Sequence, residues 1–201
     1  MNALELLNSG SDKLQRQKIR SSRLDSEILL SKVLNKKREE VLVKLERVMK
    51  RGEIFAFNDL IQRRMRKEPI AYIMKEKEFW GKKFEVDKNT LIPRPETELV
   101  IEETLKHLPF EKSKKILDVG TGSGCIVISL LKDRPKCIAT AIDISKKAIN
   151  VAKINAKLHQ LENKINFINI DIDKYKSYNY DLIISNPPYI NSIELNRLDD
   201  D

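Results

Sequence analysis

The sequence predicts an α/β protein: a small N-terminal helical bundle, a β-hairpin connector, and a Rossmann-like, doubly wound parallel sheet. Three observations carry this. Between Leu4 and about Lys67, apolar residues recur three and four apart with no strand-like alternation. From Lys115 onward, short apolar runs alternate with amphipathic helical stretches, the pattern of parallel strands joined by crossover helices. The first of those runs ends in Gly120-Thr121-Gly122-Ser123-Gly124, a glycine-rich turn that opens a helix.

Within the bundle, Ser22 followed by Asp25 predicts a capping box opening a helix whose inner stripe is Leu24, Ile28 and Val33. Val41, Leu45 and Val48 suggest a second stripe. Ile54, Phe57, Leu60, Ile61 and Met65 form a third, and Pro69 marks its end. The hairpin is Glu78-Phe79-Trp80, a turn at Gly81-Lys82, and Lys83 to Val86. Leu91-Ile92-Pro93-Arg94-Pro95-Glu96-Thr97-Glu98 reads as a stiff loop feeding a helix from Thr97 to Leu108. Its two prolines fix the direction of Arg94, either as an active-site wall or as an exposed linker residue.

The strand at Lys115 to Val119 then leads through the glycine turn into a helix with Ile126, Ile128, Leu130 and Leu131. Strand Ile138 to Ile142 ends in Asp143, and Ser145 is an N-cap for a helix that turns Ala148, Val151, Ala152 and Leu158 inward. Strand Ile165 to Ile170 ends in Asp171, and strand Tyr180 to Ser185 delivers Asn186. The domain boundaries follow: 1–75 helical, 76–96 hairpin and proline-rich connector, 97–201 sheet domain.

Composition narrows the function. The 201 residues are 41% hydrophobic, enough for a packed core. No apolar run approaches membrane-spanning length, and Met1 to Glu5 lacks a basic-then-apolar leader pattern, so no membrane is expected and the cytoplasm is the expected compartment. Cys125 and Cys137 lack metal-ligand spacing and read as small buried residues. His107 and His159 stand alone, which argues against a zinc site or a His-based triad. The net charge of +8 is concentrated before residue 82, with Arg63-Arg64-Met65-Arg66-Lys67 as its densest cluster: a docking surface or merely a solvated face.

The ligand-binding residues fall at the carboxyl ends of the strands. Gly120, Thr121, Gly122, Ser123 and Gly124 let backbone and ligand approach closely. Asp143 is suited to accept from ribose hydroxyls, Asp171 from an adenine amino group, and Ile172 to pack on the ring. Cys125 stands where a dinucleotide fingerprint wants its third glycine, which disfavours NAD and FAD. Asp118 suits a nearby cationic amino group, and together these features favour S-adenosylmethionine. Asn186-Pro187-Pro188-Tyr189 offers acceptors with few competing donors, which fits a planar NH₂ group held by both hydrogens, with Tyr189 over its flat face. An amide or exocyclic amino nitrogen is a poor nucleophile until acceptors localise and aim its lone pair.

These motifs resemble the bacterial protein-(glutamine-N5) methyltransferases that modify peptide chain release factors, a class I S-adenosylmethionine-dependent family. The resemblance rests on EPIAY at Glu68 to Tyr72, EFWG at Glu78 to Gly81, LIPRPETE at Leu91 to Glu98, DVGTGSG at Asp118 to Gly124 and NPPYI at Asn186 to Ile190. It implies an amide substrate, the glutamine of a Gly-Gly-Gln loop. Asn186, Pro187 and Tyr189 would be catalytic; Pro188 and Arg94 would join them in binding substrate. Gly120 to Gly124, Asp143, Asp171, Ile172 and Asn186 would hold the cofactor. It further implies that the helical domain docks the release factor, with a monomer expected for the full-length family and no direct nucleic-acid binding expected. NPPY alone is shared with adenine-N6 methyltransferases, which remains an alternative. Two departures stand out. Lys75 replaces a usual glycine, and the sequence stops twelve residues past Tyr189, where the family has further strands. The expectation is an incomplete domain, prone to aggregation along an apolar edge strand, or an inactive release-factor-binding fragment.

Overall fold

A computed structural model describes residues 1–187. It divides into two compact units, Met1–Lys75 and the described residues from Glu76 onward. The first unit is built from α1 (Ala3–Arg16), α2 (Ser22–Leu34), the short α3 (Arg38–Leu42), α4 (Arg51–Met65) and α5 (Ile70–Met74). Asn2 caps α1 in a capping box with Glu5: Glu5 N donates to Asn2 Oδ1 at 2.9 Å and Asn2 N to Glu5 Oε2 at 3.0 Å. Leu6, Leu7 and Leu14 of α1, Leu29 and Leu30 of α2, and Phe57 and Ile61 of α4 form one core. The third predicted stripe therefore exists, with Ile54, Leu60 and Met65 packed at its margins.

The α2 reading needs correction. Ser22 is already helical, and the N-cap is Ser21, which makes no side-chain cap bond. Leu24 is exposed, while Asp25 and Glu27 are buried. Their burial is possible because each carboxylate is paired: Asp25 Oδ2 accepts from Arg64 Nε at 2.7 Å and from Ser21 Oγ at 2.9 Å. Glu27 accepts from Arg23 Nε and Arg38 Nε, both at 2.8 Å. Val48 is also exposed, in an extended segment that bridges to Asn2. The basic cluster is partly internal. Arg63 forms a two-pronged pair with Glu68 and Arg64 is spent on Asp25, so neither guanidinium is a free docking group. Lys75 closes α5 in the left-handed conformation (φ 60°, ψ 24°), the geometry that glycine adopts most cheaply.

The second unit opens with the hairpin β1 (Glu76–Phe79) and β2 (Lys82–Glu85). Its two-residue turn is Trp80-Gly81, both at positive φ (52° and 62°), one position earlier than the sequence suggested. Helix α6 (Glu98–His107) follows a 3₁₀ turn at Pro95–Thr97. Then come β3 (Lys115–Val119), α7 (Cys125–Asp133), β4 (Ile138–Asp143), α8 (Lys146–Leu158), β5 (Ile165–Asn169) and β6 (Leu182–Ser185). Strands β3 to β6 form a parallel sheet in the order β5-β4-β3-β6. The chain moves outward from β3 through β4 to β5, then returns past β3 to β6. The sheet direction thus reverses between β3 and β6, and the crevice beyond their carboxyl ends is where such sheets bind ligands.

Helices α6, α7 and α8 pack in sequence, and Val127, Ile128, Leu130, Ala141, Ala156 and Ile184 fill the core. Leu158, expected inward, is exposed at the last residue of α8. Its place on the inner face is effectively taken by Asn155, which is fully buried. Asn155 Nδ2 donates to Ser123 O at 2.8 Å and to Glu85 O at 2.9 Å, while its Oδ1 accepts from Glu85 N at 2.6 Å. One turn on, His159 Nε2 lies 2.8 Å from Lys83 O, its ring against Phe84. Trp80 N donates to Glu98 Oε1 at 2.7 Å and Trp80 Nε1 to Asp133 Oδ2 at 2.6 Å, so the hairpin turn is tied to the start of α6 and the end of α7. Among the described residues no helix is long and apolar enough to cross a membrane.

Candidate active site

Strand β3 ends at Val119, and the chain turns at once: Gly120, Gly122 and Gly124 have φ of 72°, 56° and 79°. A side chain at Gly120 or Gly122 would meet nothing within 4 Å. Glycine at these two positions therefore answers to backbone conformation and to the open space beside it, not to protein packing. Gly124 differs, because a Cβ there would lie 3.0 Å from Ile128 Cδ1 and 3.2 Å from Ala152 Cβ, so it is the residue that lets α7 approach α8.

Asp143, at the end of β4, shapes the turn. Its Oδ2 accepts from Gly122 N at 2.9 Å and its Oδ1 from Ser145 N at 2.8 Å. Each oxygen keeps a lone pair for a further donor, so the predicted role toward hydroxyl groups survives these bonds. Ser145 caps α8 through Ala148 N, as its sequence position suggested. At the end of β5, Asp171 Oδ1 accepts from Asp173 N at 3.1 Å, turning the chain so that Ile172 is left half exposed.

Strand β6 brings in the last wall. Ser185 pairs with Val119, and Ser185 Oγ donates to Val119 O at 3.0 Å. This register fixes Asn186 beside the glycine turn. Asn186 Nδ2 donates to Thr97 Oγ1 at 3.1 Å, and Oδ1 has no hydrogen-bond partner among the described residues.

These elements enclose a cavity of about 420 Å³. Gly120, Gly122, Asp143, Asp171, Ile172, Asn186 and Pro187 all line it, so seven of the residues singled out in the sequence meet around one space. Its volume is in the range of small-molecule and cofactor sites. Pro188 and Tyr189 lie outside the described residues. Four further residues singled out in the sequence do not line the cavity. Thr121 and Ser123 are buried below the turn: Thr121 Oγ1 donates to Asp118 Oδ2 at 2.6 Å, and Ser123 O is held by Asn155. Gly124 is taken up by helix packing. Arg94 is exposed and does not line the cavity. The motif around it meets the site at its two ends instead: Leu91 lines the cavity, and Thr97 holds Asn186.

Asp118 is also not where a ligand amino group could touch it, being 1% exposed. Burial pushes its carboxyl up to about 7; the charge of Asp143 adds to this and the Thr121 hydrogen bond opposes it. Burial likewise pushes the Cys125 thiol up to about 12, so it is a packing residue, not a nucleophile. The residues that sequence reading missed are Asn89 and Thr90, which with Leu91 of the proline-rich loop form another wall. Their signal was an Asx turn: Asn89 N donates to Asp87 Oδ1 at 2.8 Å.

A family model described as the PrmC N-terminal domain matches residues 5–74, and one described as the Methyltransferase small domain matches residues 97–197. A protein of Rickettsia typhi named bifunctional methyltransferase is 41% identical over 209 residues, covering 94% of this chain and 40% of the relative. Proteins named release factor glutamine methyltransferase are similar too. That of Nitratidesulfovibrio vulgaris is 36% identical over 195 residues, covering 96% of this chain and 66% of the relative. That of Buchnera aphidicola is 40% identical over 179 residues, covering 89% and 64%. The chain thus spans between two fifths and about two thirds of the length of these relatives. The second family model runs through the sheet, the glycine turn and the Asn186 corner alike, and on that match the chain belongs to the methyltransferase small domain family.

Proposed function

We propose that this chain carries the methyl-transfer site of an enzyme that modifies the side-chain amide nitrogen of a glutamine in the Gly-Gly-Gln loop of peptide chain release factors, with S-adenosylmethionine as donor. The observation that carries the reading is the shared cavity: Asn186, whose Nδ2 is taken by Thr97, and Pro187 line the same space as the open glycine turn and Asp143. When bound, S-adenosylmethionine supplies an electrophilic methyl group on a positively charged sulfur.

The residues present fit such a donor. Gly120 and Gly122 leave room for close approach, Asp143 keeps lone pairs for hydroxyl hydrogens, and Asp171 with Ile172 offers an acceptor beside an apolar surface. On the acceptor side, an amide nitrogen offers two hydrogens. Asn186 Oδ1 and the Pro187 carbonyl would accept them, draw the lone pair out of conjugation and aim it. A glutamate in the same position would set acceptor against acceptor, a mismatch of roughly 1 to 3 kcal/mol per buried group.

Support for the substrate comes from the names of the relatives in Nitratidesulfovibrio vulgaris and Buchnera aphidicola and from the match over residues 5–74. In this reading Met1–Lys75 docks the release factor, Tyr189 and Pro188 complete the acceptor pocket, and the enzyme works in the cytoplasm. The test is transfer of a radiolabelled methyl group to a release factor, to its loop Gln→Glu variant, and to DNA and RNA. Label on the release factor alone, lost in the Gln→Glu variant, is the expected outcome. Label on nucleic acid, or equal label on both release factors, overturns the proposal.

A further inference from the structure

We infer that Thr97 is a positioning residue: its hydroxyl holds the Asn186 side-chain amide in place, with Oδ1 left to accept from a nitrogen that carries hydrogens. The inference rests on the functional reading above and deepens it.

A terminal amide has two nearly isosteric orientations. In one, Asn186 presents an acceptor to the cavity; in the other, it presents a donor, which would repel the hydrogens of an incoming NH₂. A threonine hydroxyl can serve either end of the amide; here it accepts from Asn186 Nδ2 at 3.1 Å across 89 positions of sequence, which leaves Oδ1 for an incoming NH₂.

Thr97 is well placed to hold that side chain. Its Cβ is branched, so its hydroxyl direction is strongly limited. Its backbone belongs to the 3₁₀ turn that Pro95 opens, with Thr97 N donating to Arg94 O at 3.0 Å. The next residue, Glu98, is held by Trp80 N of the hairpin turn. Asn186, for its part, follows a strand whose register with β3 is fixed through Ser185. Both partners therefore stand on braced backbone, and the hydrogen bond joins the LIPRPETE segment to the NPPY segment. Arg94, the conspicuous side chain of that segment, takes no part in the cavity.

The test uses the chain labelled with ¹⁵N-asparagine. The Asn186 side-chain NH₂ signal is assigned by its loss in Asn186→Asp, and its hydrogen exchange is compared among the unsubstituted chain, Thr97→Val and Thr97→Ser. Thr97→Val is nearly isosteric and removes only the hydroxyl. The expected result is exchange at least tenfold faster in Thr97→Val and close to unchanged in Thr97→Ser, with backbone spectra otherwise alike. Identical Asn186 signals in the unsubstituted chain and Thr97→Val overturn the inference. A second arm measures methyl transfer to a release factor, where Thr97→Val is expected to lower kcat tenfold or more at unaltered cofactor affinity, and Thr97→Ser to restore it. Full turnover by Thr97→Val also overturns the inference. If the unsubstituted chain transfers nothing, the functional reading fails, and the exchange arm still decides whether Thr97 holds Asn186.

Discussion

Replacing Asn155 with leucine removes three hydrogen bonds at once while nearly conserving volume. Ser123 O is buried and loses its partner outright; Glu85 N and Glu85 O are partly buried and recover some hydration. With about 1 to 3 kcal/mol for the first and about 1 kcal/mol for each of the others, the expected loss is roughly 3 to 5 kcal/mol. Trp80 is the only tryptophan in the chain and sits in the hairpin turn of the same unit, so its fluorescence reports the unfolding of that unit directly. In urea, a slope of about 2 kcal/mol per molar converts the loss to a midpoint lower by about 2 M. Asn155→Asp keeps the acceptor for Glu85 N but loses both donors and buries a charge, so it should be no better. A midpoint shift of less than about 0.5 M for the leucine variant, under about 1 kcal/mol, would refute the view that this side chain ties α8 to the hairpin and the glycine turn.

Other expectations concern buried charge, backbone strain and titration. Arg64→Met strands the Asp25 carboxylate, whose side chain is 4% exposed, and should cost about 3 kcal/mol by circular dichroism melting; adding Asp25→Leu should recover most of it, and equal midpoints for the single and double variants would contradict the pairing. Lys75→Gly relieves a left-handed backbone at φ 60° and should stabilise by about 1 kcal/mol, read as a raised melting temperature. Asp118 binds its proton more tightly folded (about 7) than unfolded (3.8), so its stabilising contribution is full below the unfolded value and is lost as pH rises toward 7. Stability of the unsubstituted chain should therefore fall by up to about 1.4 kcal/mol per pH unit between those values relative to Asp118→Asn, whose amide still accepts from Thr121; parallel pH profiles would exclude this.

What could be read from the sequence was whatever expresses itself as spacing. The alternation of strand and helix from Lys115, the Ser145 cap, and the arrival of Gly120, Asp143, Asp171 and Asn186 at one end of the sheet all followed from periodicity and turn chemistry. The failures share a cause. Helix α2 defeats a hydrophobic-stripe reading because its inner face carries Asp25 and Glu27, made tolerable by arginines up to 39 positions away. Asn155 escaped notice because it is polar, yet it stands three and four residues from Ala152 and Val151 on the buried face, and a polar residue in that register was the available clue. Arg94 drew attention through charge and flanking prolines, whereas the hydrogen bond to Asn186 is made by a smaller neighbour, Thr97, whose partner lies far along the chain.

The way α8 meets the hairpin bears on solubility. The outward peptide groups of Glu85 and the carbonyl of Lys83 are already occupied by Asn155 and His159. A lone two-stranded ribbon ordinarily presents such a row as an invitation to any extended segment nearby. Here side chains from a helix complete the ladder in place of a third strand, so the outer rim of β2 offers little for a stray peptide to zip onto.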